Sequence, residues 1–206
     1  MMLSSSEEDY LKAVYGLGEW DSRPVTTGAV AVKLGVSPAS ATAMVAKLVG
    51  RGLLDHPPYG SVSLTGEGRH AALSIVRRHR LIETFLVGEL GYAWDEVHDE
   101  AELLEHTVSA RFIDRLDARL GRPDSDPHGD PIPTADGDLR LPDAVRLDLA
   151  PEGRGVVVRV SDVDPSLLRA CAAEGILPGT QLDSASHPLT PEQARGVWIV
   201  PAAHRA

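Results

Sequence analysis

Cysteine is almost absent. The one thiol among 206 residues, Cys171, excludes an intrachain disulfide framework and any zinc site built from several thiolates. No apolar run approaches the ~20 residues that a membrane-spanning helix needs. The N-terminal stretch Met1-Met2-Leu3-Ser4-Ser5-Ser6-Glu7-Glu8-Asp9 has no basic segment leading into an apolar one, so no signal peptide is expected. The HExxH helix, the phosphate-binding loop and the G-x-S-x-G elbow are all missing. Positive charge is short as well: 20 Lys and Arg face 30 Asp and Glu, a formal net charge of −10. With 43% hydrophobic residues the chain is still no disordered polyanion. These absences predict a cytoplasmic globular protein with no membrane partner. By length it allows one large domain or two small ones.

The acidic total hides an asymmetry. Residues 1–78 are close to neutral, with eight Lys and Arg against seven Asp and Glu, and the excess of carboxylates falls in the remaining 128 residues. An acidic protein can bind DNA when its cations sit on one module and its carboxylates are neutralised by something else. A divalent metal would do that.

The fold expected from patterning is mostly α. A first helix opens at Ser6 and carries Tyr10, Leu11, Val14, Tyr15 and Leu17 at helical spacing. A short second helix spans Thr26 to Leu34 and stops at Gly35. Ser37-Pro38 then opens a third, about 38–51, with a cap residue followed by proline at the first helical position. Two helices joined at Gly35, then the strand-turn-strand pattern Leu53 to Leu64, predict a winged helix-turn-helix. Long helical stretches follow from Thr65 to about Leu90, and from Trp94-Asp95 to Leu120. Their wide apolar stripes predict self-association, a homodimer. Residues 121–143 hold five prolines, three glycines and six aspartates, which reads as a linker or an ordered loop. Alternation around Val156-Val157-Val158, a short helix from Pro165 to Glu174 and a strand at Trp198-Ile199-Val200 predict a small β-rich C-terminal domain. The expected segments are 1–72 for DNA binding, 73–142 for metal binding and dimerisation, and 143–206 for the C-terminal domain.

Carboxylates and imidazoles cluster on the long helices. Glu102, Glu105 and His106 fall at i, i+3 and i+4, on one helical face, and His79 and Glu83 fall at i, i+4. His98 stands just upstream of the first set. Oxygen and imidazole donors suit Mn, Fe or Zn. Each feature has an ordinary alternative. Asp9 could serve the entry of the first helix, and His79/Glu83 could be a surface pair.

The stretches Arg78-His79-Arg80-Leu81-Ile82-Glu83, Val97-His98-Asp99-Glu100-Ala101-Glu102 and Glu105-His106 together resemble the diphtheria-toxin-repressor family of metal-activated transcriptional repressors. Glu8-Asp9-Tyr10-Leu11 and Pro127-His128-Gly129-Asp130-Pro131-Ile132-Pro133 match the same family. The resemblance covers residues 6 to about 133, and Val156 to Gly179 is more loosely similar to the family's SH3-like domain. It implies a dimer whose winged helices bind operator DNA once metal fills its sites. Iron-responsive members carry methionine and cysteine where this chain has Asp9 and Glu102, and manganese-responsive members carry carboxylates there. The chain therefore resembles manganese transport regulators, with Asp9, Glu102, Glu105 and His106 as the activating-site ligands and Mn(II) as cofactor. Fe(II) is the alternative, and Zn(II), Co(II) or Cd(II) would bind in vitro. Lys12 replaces a glutamate ligand of the compact manganese regulators. A second site drawing on His79, Glu83 and His98 is expected instead, with Asp126 and His128 as further candidates. Asp164 is the C-terminal domain's candidate, although Leu167 stands where the family has a glutamine ligand.

For double-stranded operator DNA the recognition helix offers Ser37, Ala39, Ser40, Thr42 and Ala43, small residues suited to reading shape and thymine methyls. Lys47, Arg51, Tyr59 and Thr27 are phosphate-contact candidates. The rivals are a metal-dependent hydrolase, an iron-responsive repressor of the same family, and an SH3-type module for proline-rich partners, for which Trp198 alone offers an aromatic groove.

Overall fold

The computed structural model describes residues 3–202 apart from Ser22 and Pro188. The chain divides into two compact units, Met1–Arg77 with Ala135–Gly137, and Arg78–Thr134 with Asp138–Ala206.

In the first unit, α1 (Ser5–Glu19) begins at a reciprocal capping box. The Ser4 hydroxyl accepts from Glu7 N–H and the Glu7 carboxylate accepts from Ser4 N–H. Helix α2 (Thr27–Lys33) is capped by the Thr26 side chain. Gly35, at φ 63, makes the left-handed turn that a residue with a Cβ would resist. Helix α3 (Pro38–Gly50) starts at Ser37, whose hydroxyl accepts from Ser40 N–H. Strands β1 (Leu54–Asp55) and β2 (Ser63–Leu64) pair antiparallel, with Leu54 opposite Leu64. Leu11, Val30, Val45, Leu48, Leu54 and Val62 are buried, so the helices and the wing close over one apolar centre. This is the expected winged helix-turn-helix.

Helix α4 (Gly66–Leu90) runs through the division between the units. In the second unit the stretch expected as one helix from Trp94 to Leu120 is two, α5 (Val97–Glu105) and α6 (Ala110–Arg119). The break has a local cause. Thr107 turns its hydroxyl back to the Leu104 carbonyl, and the Ser109 hydroxyl accepts from Phe112 N–H, capping a new helix. Leu81, Ile82, Leu86, Val97, Ala101, Ile113 and Leu116 form the cluster that these helices enclose, joined by Ile132 from the loop beyond.

The C-terminal segment forms an antiparallel sheet in the order β3-β6-β4-β5, from β3 (Val145–Arg146), β4 (Arg154–Val160), β5 (Gln181–Asp183) and β6 (Val197–Pro201). Helices α7 (Pro165–Ala173) and α8 (Pro191–Arg195) complete it. Its own cluster holds Val157, Val160, Leu168, Cys171, Ile176, Val197 and Ile199, with Trp94 packed against it. Strand β5 and helix α8 went unforeseen, being too short for a periodic signal. Of the segments expected at 73–142 and 143–206, residues 73–77 and 135–137 belong to the first unit and the rest to the second, which holds two apolar clusters.

Candidate metal centre

Residues 121–143 are no slack tether. Asp126, His128, Asp130 and Ile132 are buried. The loop is tied by its own backbone: Asp126 N–H donates to the Asp130 carbonyl at 3.0 Å, and Gly129 N–H to the Asp126 carbonyl at 3.1 Å. One Asp126 oxygen also accepts from His128 N–H at 2.8 Å and Asp130 N–H at 3.0 Å. Val160 N–H donates to the His128 carbonyl at 2.9 Å, so the loop is laced to β4.

This lacing brings two groups of donors to one buried carboxylate, Glu83 of α4. One group is His79, Glu83 and His98; the other is Glu83, Asp126 and His128. In the first, Glu83 Oε1 stands 3.0 Å from His79 Nε2 and 3.5 Å from His98 Nδ1, and the two imidazole nitrogens are 3.2 Å apart. Ligands about 2.1 Å from an ion and at right angles to one another stand about 3 Å apart. The three atoms are therefore spaced as neighbouring vertices around one cation. In the second group, His128 Nδ1 lies 3.9 Å from Glu83 Oε2 and 4.0 Å from Asp126 Oδ1, a wider arrangement on the carboxylate's other oxygen.

Both internal histidines have their tautomer set from outside the group. His128 Nε2 lies 2.7 Å from the Trp94 carbonyl, which only accepts, so Nε2 carries the hydrogen and Nδ1 presents a lone pair to two carboxylates. That Nδ1 and Glu83 Oε1 are buried without a hydrogen-bond partner. An unshared pair facing two anionic groups costs free energy unless a cation lies between them. His79 repeats the arrangement. Its Nδ1 donates to Glu105 Oε2 at 2.6 Å, which turns Nε2 toward Glu83 and His98. The residues present therefore fit a divalent ion.

Electrostatics agree. Burial alone would lower the His98 pKa, but hydrogen bonds to Glu102 and Glu83 and the charge of Asp162 outweigh it and raise the value to about 10. The acids thus draw positive charge to His98, and a metal ion that ligates there displaces the proton. Burial, then the charges of Asp130 and Glu83, push the Asp126 carboxyl well above its ordinary range despite Arg80. Two guanidiniums anchor the far side. Arg80 donates to the Pro131 carbonyl at 2.6 Å and lies 3.4 Å from Asp130, to which Arg159 of β4 donates at 2.7 Å while stacking over Trp198.

Glu105, buried at the end of α5, joins His79 through one oxygen and lies 3.5 Å from His106 through the other. Glu102 is half exposed and lies 3.5 Å from His98. Asp9 belongs to α1, in the first unit. Asp164 is corrected: it is the N-cap of α7, accepting from Ser166 N–H at 2.8 Å, and is exposed. The acid that the C-terminal segment sends to the group is Asp162, 3.4 Å from His98 Nδ1. The Asp-Pro-Ser sequence at 164–166 was the available signal, since it marks Asp164 as a cap and leaves Asp162 over. Trp94, Arg80, Asp130 and Arg159 had no sequence signal, because their roles depend on which elements meet.

In the winged helix, Ser37, Ala39, Ser40, Thr42, Ala43 and Lys47 all lie on the exposed face of α3, opposite buried Ala41, Val45 and Leu48. Thr27 is half-buried at the start of α2. Tyr59 is fully exposed in the turn between β1 and β2 at φ 60. The Arg51 guanidinium is bonded to Glu7.

Comparison with known proteins gives the class. Residues 2–62 match the iron dependent repressor N-terminal DNA binding domain, and residues 65–134 the iron dependent repressor metal binding and dimerisation domain. The chain belongs to the iron-dependent repressor family, that of the diphtheria toxin repressor, whose members are metal-dependent, DNA-binding transcriptional repressors and not enzymes. It is 32% identical to the iron-dependent repressor IdeR of Mycobacterium leprae over 202 residues, 90% of this chain and 86% of that one. A manganese-dependent transcriptional repressor solved in complex with manganese is 43% identical with a TM-score of 0.87, covering 95% of this chain and all of that one. ScaR with bound Zn2+ is 35% identical with a TM-score of 0.78, covering 95% of this chain and 99% of that one.

Proposed function

We propose that the chain is a manganese-activated repressor that binds operator DNA as a homodimer in the cytoplasm and controls genes of manganese homeostasis. The observation that carries this is the fixed tautomer of His79 and His128, each presenting a ligating nitrogen to Glu83 in a set made only of oxygen and imidazole. Hard carboxylate oxygens suit Mn(II), whereas thiolate and thioether favour Fe(II) and later metals. The single cysteine, Cys171, is packed in the C-terminal cluster. The similarity to a manganese-complexed repressor supports the same metal.

Asp9, Glu102, Glu105 and His106 form the activating set in this reading, on the resemblance and on their donor chemistry; His79, Glu83, His98, Asp126, His128 and Asp162 form the second. A divalent ion supplies the positive charge that lets these carboxylates stand together. Glu105 and Trp94 hold the two imidazoles in ligating form, and Arg80 and Arg159 hold the loop that carries Asp126 and His128. On α3, the small residues from Ser37 to Ala43 face the bases, with Lys47 and Tyr59 on the phosphates.

The test is operator-fragment binding by fluorescence anisotropy with Mn(II), Fe(II), Zn(II) or chelator at matched free concentrations. Tight binding with Mn(II), weaker response to Fe(II) and none with chelator are expected. Equal activation by Fe(II) and Mn(II) would overturn the choice of metal, and absence of DNA binding under every metal would overturn the repressor.

A further inference from the structure

In the first unit a buried carboxylate serves two helices at once. Glu7 is the third residue of α1. Its Oε2 accepts from Ser4 N–H at 2.9 Å and so closes the helix entry. Its Oε1 faces the exit of the recognition helix α3, where it accepts from the Arg51 guanidinium and lies 3.2 Å from the Lys47 ammonium. Arg51 is the C-cap of α3 and Lys47 belongs to its last turn. The acid therefore sits at the positive end of one helix dipole and the cations at the negative end of another, so each contact reinforces the other.

We propose that Glu7 is a positioning residue that clips the entry of α1 to the exit of α3 and makes the two helices move as one body. The apolar contact between helices is non-directional and tolerates a slide or a small rotation. A carboxylate gripped by a guanidinium, an ammonium and a backbone amide does not, because charge-assisted bonds weaken steeply with displacement. Asp9 stands two residues along the same helix. Given the activating set assigned above, on which this part rests, a shift of Asp9 is delivered to the recognition helix through Glu7 and Arg51. Arg51 is then committed to the clip, while Lys47, with its side chain 58% exposed, remains able to reach a phosphate.

The test uses the full chain with Glu7→Gln, which keeps the shape and removes the charge, Arg51→Met, and the double variant. In metal-free protein, amide hydrogen exchange should quicken by roughly tenfold at both the first turn of α1 and the last turn of α3 in each single variant. The double variant should be no faster than either single one, because both remove the same contact. In operator titrations, Glu7→Gln should lose at least tenfold of the affinity gained on adding Mn(II). Faster exchange confined to α1 would overturn the clip. So would an operator affinity that rises equally with and without metal, which would make Glu7 only a mask on the charge of Lys47. A parent protein that gains nothing from Mn(II) would refute the proposed function instead, and the exchange data would still decide the clip.

Discussion

Replacing Gly129 by alanine probes how the second group of donors is built. Gly129 sits at φ +92, and a Cβ there would lie 1.9 Å from the Val158 carbonyl oxygen. That oxygen belongs to β4, a central strand paired with β5 and β6, and has nowhere to retreat. The loop must instead lift by roughly 1.4 Å to restore ordinary carbon–oxygen contact. Its neighbour His128 then leaves Val160 N–H, a bond worth about 1 kcal/mol net, and the left-handed backbone costs ~1 kcal/mol once a Cβ is present. With the residual strain of overpacking, about 1–3 kcal/mol, the total is about 3–5 kcal/mol. At roughly 3 °C per kcal/mol for a unit of this size, melting should fall by on the order of 10 °C. Lifting His128 by more than an ångström should weaken manganese binding at Glu83, Asp126 and His128 by about 10–100-fold. Circular dichroism melts give the first quantity. A Mn(II) titration followed by the fluorescence of Trp94, whose ring stacks on His128 with centroids 5.8 Å apart, gives the second. A variant that melts within a degree or two of the parent and binds manganese undiminished would refute the claim that the loop's seat on β4 sets the site.

Glu83→Gln should lose more bound Mn(II), counted by electron paramagnetic resonance, than His128→Ala, because Glu83 faces both groups of donors; equal losses would refute the shared role. Leu103 and Phe112 are exposed on α5 and α6, and Leu103→Glu with Phe112→Glu should move the protein from dimer toward monomer in sedimentation velocity. The Arg51 guanidinium, with the Ser4 backbone amide, holds the Glu7 pKa at about 2 against an ordinary 4.5. The stability from this depressed pKa is fully present above about pH 4.5 and is lost as pH falls toward 2. The gap in urea midpoint between the parent and Glu7→Gln should therefore be constant near neutrality and close by pH 2.

The winged helix was legible because its signals are local. Ser37-Pro38 opens a helix wherever it occurs before an apolar stripe, and Gly35 marks a turn in the same way. His79 with Glu83 at i, i+4, and Glu102, Glu105 and His106 at i, i+3 and i+4, are legible in the sequence as donors that share a helical face. Less visible was anything that needed one element to meet another. The Asp-Pro-Ser cap signal sets Asp164 aside in the sequence, but that Asp162 reaches His98 shows only once the elements have packed. The docking of β4 against the 126–130 loop decides between the linker and the ordered loop that the proline- and aspartate-rich stretch allows, and buries Asp126, His128, Asp130 and Ile132. Thr107 and Ser109 broke a helix whose apolar period continued across them, because their hydroxyls compete for backbone groups in a way that hydrophobic spacing does not register.

Arg80 and Arg159 have a consequence for how the regulator measures its metal. Their permanent charges are set against Asp130, and Arg80 lies 3.6 Å from Asp126. A zinc finger has no such internal counter-charge, and it spends its affinity for the ion on folding the chain. Here part of that counter-charge is built into the chain itself, so less of the free energy of binding an ion goes into holding the loop that carries Asp126 and His128.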